Sequence, residues 1–268
     1  MSSKIIGFDD WLESPPGRYL LAWEQERYDE LVADCFGYHA LQLGLPRLQG
    51  LRANRIQHRW LAVNAAAADA AEESPAPALW ADAVQLPFPA ASIDLVLMPH
   101  TLELSVSPHA ALREAARVLV PEGRVLISGV NPWSLWGLRQ SRMQWFRRLG
   151  ASGPLFIPEA QEFFSPWRLR DWLRLLDLEV ETVSLGCFRP ATRGGGWLER
   201  MGWMDALGPR GWPVFGAGYV MVAVKRVLGL QLLEPAWRGA RPPKGATVPV
   251  VRRGASGGAP VLCDECRE

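Results

Sequence analysis

Apolar and polar positions follow two periods along this chain, and each change of period marks an element. Ser92-Ile93-Asp94-Leu95-Val96-Leu97-Met98 is a short apolar run rich in strand formers, and Gly123-Arg124-Val125-Leu126-Ile127-Ser128-Gly129-Val130 is a second. Between them, within Pro108 to Leu119, Leu112, Ala115, Ala116 and Leu119 recur at helical spacing. Two apolar strands joined by one helix make a parallel crossover. Such a sheet is buried on both faces and carries ligands at the carboxyl ends of its strands. Chemistry is therefore expected after Asp82, Met98 and Val130.

The same reading predicts strands at His39 to Gly44, Arg59 to Val63, around Trp80 to Asp82, at Leu178 to Leu185 and at Tyr219 to Val224, seven in all. A helix is expected from about Arg18 to Ala33, with Tyr19, Leu20, Trp23, Arg27 and Leu31 on or near one face and Glu24, Glu26, Asp29 and Glu30 outward. Further helices are expected at Arg47 to Arg55, from Ser165-Pro166 through Leu176, and around Trp197 to Ala206. Trp133, Trp136, Trp145 and Phe146 alternate with Arg139, Arg142, Arg147 and Arg148 in a segment that reads as a basic, aromatic, amphipathic helix. The expected fold is α/β: a Rossmann-like, seven-stranded, mostly parallel sheet with helices on both faces and the last strand antiparallel.

The chain divides accordingly. Residues 1–36 form a capping arm and helix, 37–130 the core, and 131–160 the Trp/Arg-rich insertion. Residues 161–226 complete the sheet around a Gly/Trp-rich insertion at 187–216, and 227–268 read as a disordered basic tail. The alanine-rich stretch 64–79 is a frayed helix or a loop.

With 49 % hydrophobic and 21 % charged residues over 268 positions, the chain has the composition of a soluble globular protein, and a net charge of +1 gives no global footprint for nucleic acid. Of four cysteines, only Cys263 and Cys266 are close, and without a second CxxC or a nearby histidine they read as two thiols in a solvated tail, so no metal site is assigned. The start meets acid at Asp9 and Asp10, unlike a signal peptide, and no apolar run approaches a membrane span, so a cytoplasmic location is expected.

The central block carries a resemblance. Asp82 with Leu86-Pro87-Phe88, then Ser92-Ile93-Asp94-Leu95-Val96, His100-Thr101-Leu102-Glu103, and Leu112-Arg113-Glu114-Ala115-Ala116-Arg117-Val118-Leu119-Val120-Pro121-Glu122-Gly123 resemble the small-molecule branch of the class I S-adenosylmethionine-dependent methyltransferases over roughly residues 37–130. The resemblance implies S-adenosyl-L-methionine as cofactor and a small-molecule methyl acceptor. It departs at the first motif: where the family has an acid and three glycines, this chain reads Gln42-Leu43-Gly44-Leu45-Pro46-Arg47-Leu48.

Carried over position by position, the resemblance assigns cofactor contacts to Gly44, to Asp82 with Ala83 beside it, and to the turn after Met98, with Gln42 and Asn64 substituting for the missing acids. Asp82 also has the plainer role of a turn cap. Asp94 is expected as a structural acid that accepts backbone amides. His100, whose ordinary pKa lies near neutrality, is the candidate base, and Glu103 the fallback base or a helix cap. Met98-Pro99-His100-Thr101 lacks the signatures of DNA amino- or cytosine-C5 methylation. The damaged first motif motivates the alternative of a catalytically inactive binding or regulatory protein. Arginine-rich segments add a weaker expectation of contact with RNA or anionic membrane.

Overall fold

The computed structural model describes residues 7–64, 78–150, 155–158, 162–192 and 195–226. Its strands are β1 (His39–Leu43), β2 (His58–Val63), β3 (Leu79–Trp80), β4 (Ile93–Pro99), β5 (Leu119–Val130), β6 (Leu178–Gly186) and β7 (Gly218–Lys225). They form a seven-stranded sheet in the order β3-β2-β1-β4-β5-β7-β6. β1 to β5 pair in parallel, and β7 runs antiparallel between β5 and β6. This is the Rossmann-like arrangement that the apolar runs predict.

Side chains alternate across a strand, so β4 supplies both cores. Leu95 and Leu97 face the side covered by α1 (Phe8–Leu12), α2 (Pro15–Ala33) and the first turns of α5 (Leu135–Arg148). Val96 and Met98 face the side covered by α4 (Pro108–Val118) and α6 (Pro166–Arg174). Met98 is fully buried there, and burial of such a side chain stabilises the fold by roughly 1.5–3 kcal/mol. The Met98 side chain therefore belongs to the packing beneath α4, and only the turn that follows it is left to reach a ligand.

Serine hydroxyls start three helices. Ser14, Ser134 and Ser165 accept from the amides of Gly17, Gly137 and Arg168 at 3.3, 3.1 and 3.3 Å. α2 thus begins at Pro15, earlier than its apolar spacing suggests. The segment around Trp197 forms two helices, α7 (Gly195–Arg200) and α8 (Trp203–Gly211).

The helix expected at Arg47 to Arg55 is absent; turns join β1 to β2. Leu48 and Leu51 are buried at helix-like spacing, but the Gln42 amide organises the backbone differently. Its Nε2 donates to the carbonyls of Leu45 and Leu48 at 3.0 and 2.6 Å, and its Oε1 accepts from the Gly50 amide at 3.1 Å. α2 is joined to these turns by Gln25 with Gln49 and by Asp29 with Arg52. Gln42 is 3 % exposed, so its expected cofactor role is corrected to that of an internal brace.

Candidate functional site

The pocket of interest is assembled from the carboxyl ends of β1 to β3 and the turn after β4. A cleft of about 400 Å³ is floored by Gly44 and Pro46 after β1, Asn64 after β2 and Ala81 to Val84 after β3. Thr101 and Leu104 to Ser107 wall one side, and Phe8 of α1 closes another. Of the eight expected site residues, the structure brings Gly44, Asn64, Asp82 and Ala83 together here. Asn64 and Asp82 are exposed at its rim.

Local chemistry fixes these positions. Asp82 Oδ1 accepts from the Val84 amide at 3.2 Å, an Asx turn that turns the chain out of β3. The following Leu86-Pro87-Phe88 is clamped from α4: Glu114 accepts the Leu86 amide at 2.9 Å, and Arg117 donates to the Phe88 carbonyl at 2.8 Å while pairing with Glu114. Hydrogen bonds from Arg117 hold the Glu114 carboxyl below its ordinary pKa. The L-x-E-x-x-R word in α4 therefore sets the position of the Asp82 loop. Thr101 Oγ1 donates to the Leu43 carbonyl at 2.9 Å and ties the β4 turn to the end of β1. Asp94 accepts the amides of Tyr38 and His39 at 2.8 and 2.9 Å, as a structural acid should.

His100 and Glu103 lie outside this cleft. The imidazole is fully buried, with Nδ1 2.7 Å from Glu103 and Nε2 2.9 Å from Glu24 of α2. Glu103 also accepts the Val130 amide at 2.5 Å. Burial opposes a charge on His100, but Glu24 and Glu103 together outweigh it and push the imidazole up to about 10. Burial pushes the Glu103 carboxyl up, against the pull of His100 and the Val130 amide. A fully buried, protonated histidine, hydrogen-bonded through Nδ1 to Glu103 and paired by charge with Glu24, takes no proton from a substrate, so the expected base is corrected to a buried ionic strut.

Sequence reasoning missed Glu24 because it placed that side chain outward. Its signal was present: Leu20, Glu24, Tyr28 and Val32 recur every four residues and all are fully buried. Phe8 was missed too; its ring packs 5.2 Å from that of His100, between the strut and the cleft. Over the strut's side of the sheet, Trp11, Trp136 and Phe156 meet edge to face at 5.4–6.1 Å.

Comparison with known proteins agrees with this architecture. A family model described as a methyltransferase domain matches residues 53–127. YafS of Escherichia coli (strain K12), itself uncharacterized, is 30 % identical over 229 residues, which is 85 % of each chain. The chain belongs to the class I S-adenosylmethionine-dependent methyltransferases. Solved methyltransferases share the fold of this family member at low identity. One from Thermotoga maritima is 19 % identical and covers 78 % of this chain and 92 % of its own, with a TM-score of 0.52. One from Archaeoglobus fulgidus is 17 % identical and covers 78 % and 94 %, with a TM-score of 0.52.

The family's cofactor is S-adenosylmethionine, and the residues that could hold its nucleoside here are those of the cleft. Gly44 has φ +71°, and a Cβ added there would meet no atom within 4 Å, so it would project into the open cleft. Glycine keeps that floor clear. Asp82 presents the one titratable side chain among the described lining residues, a carboxylate acceptor suited to an amino or hydroxyl donor. No helix begins after Gly44, and Pro46 lacks an amide donor, so the β1-to-β2 turns offer no helix N-terminus to an anionic group. Among the described residues no helix is long and apolar enough to cross a membrane. Cys263, Cys266 and the basic tail lie outside the described residues, as does most of the alanine-rich stretch.

Proposed function

We propose that this chain transfers a methyl group from S-adenosylmethionine to a small-molecule acceptor. In this reading Asp82 and Asn64 hold the nucleoside over Gly44 and Ala83. The observation that carries it is the open cleft over Gly44, set at the carboxyl ends of three parallel strands, where ligands bind in such sheets. The cofactor supplies a methyl group already activated on a sulfonium. The chain's own contribution is then to orient the acceptor and exclude water, with Phe8 and the wall of Thr101 and Leu104 to Ser107 shaping the approach. No histidine lines the cleft among the described residues, so the reaction rests on alignment and draws no proton through His100.

One observation favours a second reading, a catalytically inactive binding or regulatory protein. The β1-to-β2 turns offer no helix N-terminus to the cofactor, and the residues expected as bases are sealed in the strut.

Calorimetric titration with S-adenosylmethionine and S-adenosylhomocysteine, beside Asp82→Ala, tests both readings. Micromolar binding that Asp82→Ala weakens by about tenfold, roughly 1.4 kcal/mol, is expected, together with turnover of labelled cofactor on an acceptor panel. Binding without turnover favours the second reading. Absence of binding at millimolar cofactor overturns the assignment of the cleft.

A further inference from the structure

The outer face of α5 is apolar where solvent would favour polar residues. Leu135, Leu138, Arg142, Trp145 and Leu149 follow one another at intervals of three and four residues, one stripe of the helix, and all are exposed. Phe146 lies beside them. Trp145 is 57 % and Leu149 65 % exposed. The opposite face already holds the helix to the body: Trp136 and Gln140 are fully buried, the Trp136 indole donates to the Arg189 carbonyl at 2.8 Å, and Gln140 bonds Phe156 and Ile157. The outer stripe is therefore not waiting for another segment of the described chain to fasten the helix.

Charge selects the occupant. α5 contains four arginines and no acid. Arg139 turns inward to the Ala191 carbonyl, whereas Arg142 within the stripe and Arg148 beside it have no carboxylate within ion-pair distance among the described residues; Arg147 falls on the helix face of Trp136 and Gln140. Trp133, just before the Ser134 cap, is also exposed and lines an apolar groove of about 460 Å³ with Trp167, Val214 and Phe215. Arginine beside exposed tryptophan, phenylalanine and leucine suits a headgroup layer, where rings and aliphatic chains sit at the acyl boundary and guanidinium groups meet phosphates. A protein interface core is depleted in charge, and a single-stranded RNA groove carries stacking rings within a polar channel. Neither describes a helix whose outer side is leucine, tryptophan and arginine without an ion-pair partner among the described residues.

We propose that the outer face of α5, with the Trp133 groove at its start, docks this protein flat on an anionic phospholipid membrane. At about 1.5 Å per residue, the helix lays roughly 20 Å of this stripe along the surface. The docking is independent of the methyl acceptor and stands whether or not the cleft turns over cofactor.

The test is cosedimentation of the full chain with vesicles of phosphatidylcholine alone and of phosphatidylcholine mixed with phosphatidylglycerol. Binding to the mixed vesicles is expected, at least about tenfold stronger than to phosphatidylcholine and weakened by salt. Arg142→Glu/Arg148→Glu is expected to lower partitioning by more than about tenfold, and Trp145→Ser/Phe146→Ser by about tenfold or more. These positions are exposed, so circular dichroism and melting temperature should stay at the wild-type values, and both are recorded for each variant. Failure to bind the mixed vesicles at low salt overturns the proposal. So does partitioning that survives both variants, which would move the contact to another surface, and so does loss of RNA binding in these variants without any vesicle binding.

Discussion

Along the carboxyl edge of the sheet, the ends of β1 to β3 border an open cleft, whereas the end of β4, adjacent to β1, runs into the sealed strut of Glu24, His100 and Glu103. The first half exposes its polar groups: Asp82 and Asn64 reach solvent at the rim. The second buries them, with a charged imidazole held between carboxylates from α2 and α3 (Thr101–Leu104). Phe8 separates the two. An exposed carboxylate keeps its hydration and remains available to a ligand. A buried ionic group binds nothing further, and fixes the elements that supply it. The contrast divides the edge into a half whose residues should govern binding and a half whose residues should govern stability.

The largest expected effect lies on the sealed side. Glu103→Ala leaves the His100 charge short of one carboxylate and the Val130 amide without its acceptor. It should lower unfolding free energy by about 3–5 kcal/mol in urea titrations at pH 7. A loss below about 1 kcal/mol, the value of a surface pair, would break the comparison. The next effect is on pH dependence. The His100 pKa, raised to about 10 in the folded chain, exceeds its unfolded value of about 6.5. Its stabilisation is therefore complete below about pH 6.5 and is lost as pH rises toward 10. The unfolding free energy from urea titrations should fall between pH 7 and pH 10, by up to about 1.4 kcal/mol per pH unit; a flat profile would show that the strut is uncharged.

Gly129→Ala sharpens the boundary. An added Cβ would stand 2.7 Å from the Tyr219 hydroxyl and 2.9 Å from Glu103, forcing both to shift, and about 1–3 kcal/mol of stability should be lost with cofactor affinity unchanged. The smallest stability effect belongs to the open side: Asp82→Ala should stay within about 0.5 kcal/mol of wild type in unfolding while losing cofactor affinity in calorimetry. A large stability loss with intact affinity would reduce Asp82 to its turn-capping role.

The sheet was legible because its signals are continuous. Ile93 to Met98 and Tyr219 to Val224 are apolar runs that admit few alternatives, and the words around Leu86-Pro87-Phe88 and Glu114 to Arg117 fix their order. The first crossover misled, because Leu48 and Leu51 have helical spacing while the competing influence is one buried amide, Gln42, several residues earlier. The site was half legible for a related reason. Gly44, Asn64, Asp82 and Ala83 sit at strand ends, where topology alone places them at the edge. The role of His100 depends on Glu24, distant in sequence, and periodicity in α2 is silent about which charged residue turns inward.

The placement of β7 has a consequence for synthesis. β6 pairs with β7 and not with β5, and β7 occupies the position beside β5. While the chain emerges from the ribosome, β5 therefore presents an unpaired edge, and β6 has no neighbour until residues through Lys225 have left the exit tunnel. Long-range pairing of this kind forms late, and an uncovered edge strand is a template for the wrong partner. A nascent chain stalled before Gly218 should thus depend on chaperones far more than one released a few residues later.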